Sequence, residues 1–379
     1  MPAEMKPKKM IIVVGARPNF IKIASLMPHL AKQKAIKPVL VHTGQHYDIT
    51  MSGQFFNDLN LPLPDVNLEV GPGSHAIQTA KIIERFEKVC INEKPDFVFV
   101  VGDVNSTVSC ALAAVKLGIK VIHYEAGLRS YDKSMPEEIN RIVTDSISDF
   151  YFTTTEEGTE NLIKENVSGE KIFMLGNLMV DTLVSQLPQA MSTKLEFQLY
   201  DSLKTVSINA DFIDKKYGVV TLHRPKNVDS KENLTNLLLT LGEISKKTPL
   251  IFPAHIRTLK NMKDCNLLEL AKTFSKLFII EALGYLQFSH LLIKSLFVIT
   301  DSGGIQEETT YLDIPCLTLR PNTERPITVL TGSNKLTTVE KLQTEIDLIL
   351  KGLPKRRKEL PKFWDGKTAN RIVQQLQTI

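Results

Sequence analysis

Cysteine is scarce in this 379-residue chain, and none of it is arranged as a metal or disulfide motif. The four cysteines, Cys90, Cys110, Cys265 and Cys316, lie far apart and lack the CxxC spacing of zinc and redox sites. The sequence therefore indicates neither a metal centre nor a disulfide framework, and it fits a protein of a reducing compartment.

Long apolar runs and a large charge imbalance are absent as well. The start MPAEMKPKKM is not followed by an apolar segment of signal-peptide length, and no 18 consecutive apolar residues occur anywhere. The 46 basic and 42 acidic residues leave a formal net charge of +4, which gives no general case for binding nucleic acid or membranes. We therefore expect a soluble, cytoplasmic protein. Any anionic ligand would be recognised by a local group of residues and not by the overall charge.

Short apolar runs alternate with amphipathic segments along most of the chain, as is typical of right-handed βαβ units around a parallel sheet. In the first half the predicted strands are 10–14, 38–42, 96–101, 119–124, 150–153 and 172–175. In the second half they are 219–222, 250–253, 277–281, 296–300 and 315–319. We predict an α/β fold of two Rossmann-like, doubly wound domains.

The alternation lapses once, across residues 186–216, which are polar and compatible with a helix. We interpret this segment as a linker and the first helix of a second domain. Single hydrophobic cores stop growing beyond about 250 to 300 residues, which also favours two domains. The predicted domains are 1–185 and 186–365, with a last helix within 366–379 that is free to pack back onto the first.

In such sheets ligands bind beyond the carboxyl ends of the strands, so the residues that follow each strand are the candidates for a site. Arg17 follows the first strand beside Pro18, a favoured first-turn residue, and thus lies at a helix N-terminus that attracts anions. Lys22 falls one turn later. Solvated side chains on a surface helix explain the same pattern. The segment is not a GxGxxG fingerprint, so no nicotinamide or flavin cofactor is predicted.

Two carboxylates follow neighbouring strands of the first domain. Asp103 comes after strand 96–101, where it either caps the next helix or faces a site. Glu125 ends an apolar strand, where a carboxylate is expected to be partly desolvated. Two adjacent strand ends would place both carboxylates at one edge of the sheet.

A dense set of charges follows Glu125. Pro136 begins a predicted helix whose first turn contains Glu137 and Glu138, and Arg141 is placed to pair with one of the two. A salt-bridged surface segment explains these three charged residues well, but it explains Glu125 poorly.

The second domain has three comparable signals. His223 follows strand 219–222, where imidazole can act as an acid or base or donate to a phosphate, although a lone histidine is more often structural. The turn 302–304, Ser-Gly-Gly, opens a helix and lets backbone amides approach a diphosphate, with Glu308 one turn further on. Arg320 and Arg325 lie in the loop after the next strand, where they are predicted to be next to this turn.

Eight motifs occur together and in order: GARPNFIK, HTGQHYD, GDVNST, HYEAGLRS, PEEINR, TLHRPKNVD, TDSGGIQEE and LRPNTERP. In this combination the chain resembles the non-hydrolysing UDP-N-acetylglucosamine 2-epimerases, from about residue 11 to about residue 334. The resemblance implies two Rossmann-like domains facing a central cleft, the glycosyltransferase B arrangement. It also implies a UDP-sugar substrate, no cofactor, and a homodimer.

The implied reaction is the reversible conversion of UDP-GlcNAc to UDP-ManNAc, through elimination of UDP to a 2-acetamidoglucal and its re-addition. By position in the motifs, the resemblance implies Asp103, Glu125, Glu137 and His223 as catalytic residues. It implies the following substrate-binding residues: Arg17, Lys22, Arg141, His255, Phe288, Ser302, Gly303, Gly304, Glu308 and Arg325. Of these, Ser302 to Gly304 match the diphosphate turn, Glu308 the ribose ligand and Phe288 a uracil neighbour.

Several alternatives remain open on the sequence. A hydrolysing epimerase would use nearly the same residues, and an epimerase for a diacetamido sugar nucleotide would differ in a pocket that the motifs do not reveal. A glycosyltransferase would not need carboxylates after three strands, and a nucleotide-sugar sensor would not need them at all. The segment YDIT after Gln45-His46 differs from members activated by a second substrate molecule, so allosteric activation is left open. The motifs do not assign the base and the acid.

Overall fold

The computed structural model describes residues 7–45, 56, 58–198, 205–207, 217–353 and 359–379. The segment YDIT lies outside them. The chain divides into two compact units, one formed by Met1–Ser185 with Lys362–Ile379 and the other by Gln186–Pro361. Each unit has its own parallel sheet, and the two are described in turn.

The first unit is built around a seven-stranded sheet in the order β3-β2-β1-β4-β5-β6-β7. The strands are β1 Lys8–Val14, β2 Ile36–His42, β3 Val66–Asn67, β4 Phe97–Val101, β5 Lys120–Tyr124, β6 Phe150–Thr153 and β7 Ile172–Met174. All pair in parallel. Central strand β4 is buried along its whole length, as expected when helices cover both faces of a sheet.

Helices connect these strands. They are α1 Arg17–Ala31, α2 His75–Glu93, α3 Asn105–Lys116, α4 Pro136–Ile147, α5 Glu156–Lys164 and α6 Leu178–Ser192, with a 3-10 turn at Gly169–Lys171. Helices α2 and α3 pack against the sheet through Ile82, Phe86 and Cys110, which are inaccessible to solvent. The order of strands reverses between β1 and β4, which makes their ends the switch point of this sheet.

The second unit repeats the design with a six-stranded parallel sheet in the order β12-β11-β10-β13-β14-β15. A short antiparallel pair, β8 Glu196–Gln198 and β9 Thr205–Ser207, precedes it. The sheet strands are β10 Gly218–Thr221, β11 Leu250–Pro253, β12 Leu277–Ile280, β13 Phe297–Thr300, β14 Cys316–Thr318 and β15 Asn334–Leu336. Its switch point lies between β10 and β13.

The helices of this unit are α7 Pro225–Val228, α8 Lys231–Lys247, α9 Ile256–Asp264, α10 Leu268–Lys272, α11 Tyr285–Ile293, α12 Gly303–Leu312, α13 Ile327–Leu330 and α14 Leu342–Leu350, with a 3-10 turn at Val339–Lys341. Leucines of α8 at helical spacing, including Leu234, Leu238 and Leu241, are fully buried in one core with Val220 and Phe252.

A last helix, α15 Thr368–Leu376, belongs to the first unit. The amide of Ala369, in the first turn of α15, donates a hydrogen bond to Asp181 on α6 at 2.8 Å. Just before the helix, Trp364 is buried and its indole N–H donates to the carbonyl of Thr154 at 3.3 Å. Arg371 donates to the carbonyl of Leu175 at 2.6 Å. Residues 362–379 are therefore anchored at several points of the first unit.

The predicted α/β class with two Rossmann-like sheets is confirmed, and the predicted strands agree with the observed ones within two residues at each end. The interpretation of 186–216 is wrong in two places. Helix α6 continues to Ser192, because Leu183 and Ala190 maintain a buried face. The predicted helix is replaced at 196–198 and 205–207 by the antiparallel pair; residues 199–204 and 208–216 lie outside the described residues.

Candidate active site

The connections after β1 and β4 leave the same edge of the first sheet, because the two strands pair in parallel with Ile12 opposite Phe99. Asn19 on α1 ties these connections together. Its side-chain oxygen accepts hydrogen bonds from the amides of Gly15 and Ala16, at 3.1 and 3.0 Å, and its amide donates to the carbonyl of Val101 at 3.0 Å. The start of α1 is thereby held against the end of β4.

Helix α1 begins as predicted, with Pro18 in its first turn. Arg17 is its first residue and is half-buried. Lys22 lies one turn later and is only 4% exposed, so it is not a solvated lysine on a helix surface. An ammonium buried to this degree requires a partner.

That partner is Glu125, which follows β5. Nζ of Lys22 lies 2.5 Å from Oε2 of Glu125, and the glutamate is 3% exposed, as its position after an apolar strand predicts. The other carboxylate oxygen, Oε1, is buried and has no hydrogen-bond partner within the described part of the chain. Glu125 also has φ +70°, in the left-handed region that residues with side chains rarely adopt. Strain and an unsatisfied buried oxygen at one residue are typical of a functional site.

Gly102 makes room for this ion pair. Its φ is +69°, and a β-carbon added to it would lie 3.1 Å from Nζ of Lys22 and 3.2 Å from Oε2 of Glu125. The residue after β4 must therefore be small for the lysine and the glutamate to meet.

Asp103 does not cap the helix that follows it. The N-cap residue of α3 is Val104, and the carboxylate of Asp103 instead forms an ion pair with Nη1 of Arg141. The side chain of Asp103 remains 26% exposed, whereas Arg141 is buried. Capping, as an explanation for Asp103, is wrong, and Arg141 fixes the aspartate at the edge of the sheet.

The two glutamates of α4 have different surroundings. Glu138 is 1% exposed and accepts hydrogen bonds from the amides of Ser130 and Tyr131, at 2.9 and 2.8 Å, and from Arg141. Burial opposes its ionisation, but these hydrogen bonds outweigh burial and hold the pKa of Glu138 below its ordinary value. Glu137 is half-buried and makes no hydrogen bond or ion pair with any described residue. Of these two glutamates, Arg141 thus pairs with Glu138.

In the second unit, Asp301 follows β13 and orients His223, which follows β10. Asp301 is buried and accepts hydrogen bonds from the amides of His223 and Arg224, at 3.1 and 2.9 Å. Nδ1 of His223 lies 3.1 Å from Oδ1 of Asp301. Burial opposes ionisation of Asp301, but the contacts with His223 outweigh it and lower the pKa of the aspartate. Because Nδ1 faces a carboxylate, Nε2 is the nitrogen that is free to act at the exposed edge of the ring.

The turn Ser302-Gly303-Gly304 forms the N-terminus of α12, and the Ser302 side chain does not cap it. A β-carbon on Gly303 would lie 2.6 Å from Nη1 of Arg325. The arginine is therefore next to uncapped amides at the positive end of a helix, a favourable place for a phosphate. Arg325 is itself held by Glu324 and Glu307.

The remaining predicted residues occupy different kinds of position. Glu308 on α12 is buried and accepts a hydrogen bond from the hydroxyl of Tyr285 at 3.3 Å. His255 is the N-cap of α9, where Nδ1 accepts from the amide of Arg257 at 3.1 Å, and its ring centroid lies 5.6 Å from that of His223. Phe288 on α11 is half-buried against the apolar core.

Comparison with known proteins identifies the class to which these two sheets belong. The model of the UDP-N-acetylglucosamine 2-epimerase family matches residues 28–377, and the chain belongs to this family. The family predicted from the motifs is therefore confirmed, and with it the prediction of an enzyme.

Particular relatives extend over nearly the whole chain. The UDP-N-acetylglucosamine 2-epimerase of Methanocaldococcus jannaschii is 42% identical over 369 residues, which cover 96% of this chain and 98% of the relative. Its crystal structure in complex with UDP-GlcNAc and UDP has a TM-score of 0.87 and covers 98% of this chain and 100% of that one. The UDP-2,3-diacetamido-2,3-dideoxy-D-glucuronate 2-epimerase of Pseudomonas aeruginosa is 37% identical, over 86% of this chain and 88% of the relative.

Proposed function

We propose that this protein interconverts UDP-N-acetylglucosamine and UDP-N-acetylmannosamine by epimerisation at C2 of the sugar. The observation that carries the proposal is Glu125, a strained and buried carboxylate with one oxygen unpaired, at a sheet edge that also bears Asp103. The family of the chain and the UDP-GlcNAc bound to its Methanocaldococcus jannaschii relative support the same substrate.

The chemistry requires several acids and bases. The proton at C2 of a sugar is weakly acidic, so a base must lie within hydrogen-bond reach, and a second group must deliver a proton to the opposite face. Glu125 is paired with a lysine and Asp103 with an arginine, whereas Glu137 has no described partner. Carboxylates in such different environments can divide the roles of acid and base. Loss of the C2 proton with departure of UDP gives a 2-acetamidoglucal, and the reverse steps on the other face give the epimer.

The second unit supplies groups suited to UDP. As UDP departs, negative charge develops on its β-phosphate, which the uncapped amides of α12 and Arg325 would stabilise. We assign Glu308 to the ribose hydroxyls and Phe288 to the uracil ring. His223, oriented by Asp301, presents Nε2 to the diphosphate or to the sugar. Arg17 and Lys22 provide positive charge on the first unit.

The test is incubation with UDP-GlcNAc in D2O, followed by proton and phosphorus NMR. We expect UDP-ManNAc with deuterium at C2 and UDP still attached at equilibrium. Glu125→Gln is expected to abolish the exchange, and Glu160→Gln, a change on the exposed side of α5 where the glutamate lies near exposed Lys164, is the matched control that keeps it.

Other products would redirect the assignment. Accumulation of free ManNAc and UDP would identify a hydrolysing enzyme. Absence of exchange with UDP-GlcNAc, together with exchange on UDP-2,3-diacetamido-2,3-dideoxy-D-glucuronate, would assign the activity of the Pseudomonas aeruginosa relative. Absence of exchange on both would contradict the proposal.

We further propose that the protein acts in the cytoplasm as a homodimer. Its four cysteines are free thiols, and three of them are buried, which suits a reducing compartment. Within the described residues no helix is long and apolar enough to cross a membrane. Light scattering of the purified protein tests the dimer, and a monomer mass would contradict it.

A further inference from the structure

A buried histidine lies behind the candidate carboxylates and has no role in the proposed reaction. His123 is on β5, two residues before Glu125, and is inaccessible to solvent. Its Nδ1 lies 2.6 Å from Oδ1 of Asp145, and its Nε2 lies 2.9 Å from the carbonyl oxygen of Gly102. A carbonyl oxygen only accepts, so Nε2 must carry a proton, and the short contact with the carboxylate requires a second proton.

The second proton can reside on either partner, and the surroundings of Asp145 favour the ring. The other oxygen of Asp145 accepts a hydrogen bond from the amide of Gly127 at 3.0 Å and lies 2.7 Å from Nη1 of Arg129. Both contacts stabilise a carboxylate more than a neutral acid. The pair is thus an imidazolium and a carboxylate.

The charges around this pair balance. Arg129 is shared between Asp145 and Glu165, whose Oε2 lies 2.6 Å from Nη2. Two cations and two anions are thus linked by ion pairs, and all of them except the exposed Glu165 are buried. A neutral His123 would leave buried Asp145 with Arg129 as its one described cation. Leaving a buried member of such a network without its ion-pair partner lowers the stability of the fold.

The pair connects the two turns that carry the carboxylates. The carbonyl held by His123 belongs to the peptide bond between Gly102 and Asp103, and the amide held by Asp145 belongs to Gly127, two residues after Glu125. Gly127 has φ +79°, and a β-carbon there would lie 2.0 Å from the carbonyl oxygen of Gly158. Both turns are therefore unusual backbone conformations, and the same two side chains hold them.

We propose that His123 and Asp145 are positioning residues, which set the carboxylates of Asp103 and Glu125 relative to one another through the backbone that precedes and follows them. Neither touches the substrate. This inference rests on the proposed function, because the distance between the two carboxylates matters only if both act on one sugar. It predicts that losing the pair slows the chemical step and leaves binding of UDP unchanged.

The first test uses the unmodified protein, labelled with 15N at its histidine rings. The signals of His123 are identified by their disappearance in His123→Gln. We expect a proton on both ring nitrogens of His123, as its contacts with Asp145 and Gly102 require. A ring with one proton would overturn the proposal, and this measurement does not need an active enzyme.

The second test is kinetic. His123→Gln and Asp145→Asn should each lower kcat about 100-fold, the scale expected when reacting groups are displaced by about 1 Å, with KM unchanged. Asparagine retains an oxygen for the amide of Gly127, but its amide would meet Nδ1 and force the ring to be neutral. Isothermal titration with UDP should give wild-type affinity for both variants.

Tyr151→Phe is the matched control, since it removes buried hydrogen bonds to backbone carbonyls at the end of α4, including that of Asp145, and leaves the side-chain contacts of the pair in place. The hydroxyl of Tyr151 donates to the carbonyls of Asp145 and Ser148, at 2.9 and 2.6 Å. This variant should lower Tm and keep kcat. A wild-type kcat in folded His123→Gln or Asp145→Asn, or an equal loss of kcat in Tyr151→Phe, would overturn the proposal. An inactive wild-type protein would instead contradict the proposed function, and the ring signals would still report on the pair.

Discussion

At the scale of single residues, the candidate site depends on glycines and buried charges more than on exposed groups. Gly102 lets Lys22 reach Glu125, and Gly303 lets Arg325 reach the start of α12. In both places the glycine has no β-carbon, and this leaves room for a charged side chain. The candidate carboxylate of Glu125 can then occupy a position that a β-carbon on Gly102 would exclude.

We predict that Gly102→Ala abolishes most of the activity while the protein stays folded. The left-handed φ costs alanine about 1 to 2 kcal/mol, and the added carbon would displace the lysine and the glutamate. The activity assay and thermal unfolding measure the two effects.

Gly118→Ala is the control for that prediction. Gly118 has φ +72°, and no described atom lies within 4 Å of the position that an added β-carbon would take. It should lose a similar amount of stability and keep its activity. Equal losses of activity in both variants would show that strain, and not displacement of the ion pair, is responsible.

A second prediction concerns Asp301. Asp301→Asn should lower kcat, because the amide no longer fixes the imidazole of His223 with Nδ1 toward β13. Steady-state kinetics with UDP-GlcNAc measure the effect. A wild-type kcat in the folded variant would contradict the assigned orientation.

At the scale of elements, α4 is unusual because it turns charged residues inward. Glu138, Arg141 and Asp145 follow one another at spacings of three and four, and all three are buried, whereas Ile139 is exposed. This helix reaches the loop 130–131, Asp103 beyond the end of β4 and the histidine of β5. It therefore organises the edge of the first sheet.

We predict opposite effects for the two neighbouring glutamates of α4. Glu137→Gln should lower activity and leave Tm unchanged, because Glu137 has no described partner. Glu138→Gln should cost about 3 to 5 kcal/mol of stability, since it leaves buried Arg141 short of a charge partner. Thermal unfolding of both variants separates the cases, and a stable Glu138→Gln would contradict the structural role.

The contribution of Glu138 to the stability of the fold should also depend on pH. Its pKa is lower in the folded protein than in the unfolded chain, where it is about 4.3. Ionised Glu138 therefore stabilises the fold above that pH, and the contribution is lost as pH falls through the folded-state pKa. The stability difference between wild type and Glu138→Gln should shrink on acidification, as urea unfolding at a series of pH values would show. A difference that grows would contradict the sign.

The sequence predicts most elements and few of the supporting contacts. Apolar runs such as Phe150–Thr153 identify buried strands directly, because strands covered on both faces are continuously hydrophobic. The helix predicted within 186–216 is wrong at 196–198 and 205–207, since two strands of three residues carry too little periodicity to distinguish them from a helix. The sequence does not identify Asp145 and Asp301 as site residues, because they lie 22 and 78 residues from the histidines they hold. Only the folded sheet brings each aspartate next to its histidine.

At the scale of the whole molecule, residues 362–379 complete the first unit. Trp364, the only tryptophan, is buried there, so its fluorescence reports on this unit. We predict that Arg371→Ala lowers the midpoint of the fluorescence-detected unfolding transition, because Arg371 holds the carbonyls of Leu175 and Phe363.

Lys362→Ala is the control, because its ion pair with Glu156 is exposed and such pairs contribute about 0 to 1 kcal/mol. Its midpoint should stay near that of the wild type. An Arg371→Ala midpoint equal to that of Lys362→Ala would contradict the anchoring role of the arginine.

The packing of the last helix, α15, on the first unit has a consequence for synthesis of the chain. Residues 186–361 are an insertion within the first unit, which remains incomplete until 362–379 leave the ribosome. Synthesis of the first unit thus begins first and ends last, whereas all strands of the inserted unit have been synthesised before the first unit is complete. Until then, the nascent first unit exposes the apolar surface that Trp364 and Ile372 will cover. A chaperone that binds apolar surface would find its target there during translation.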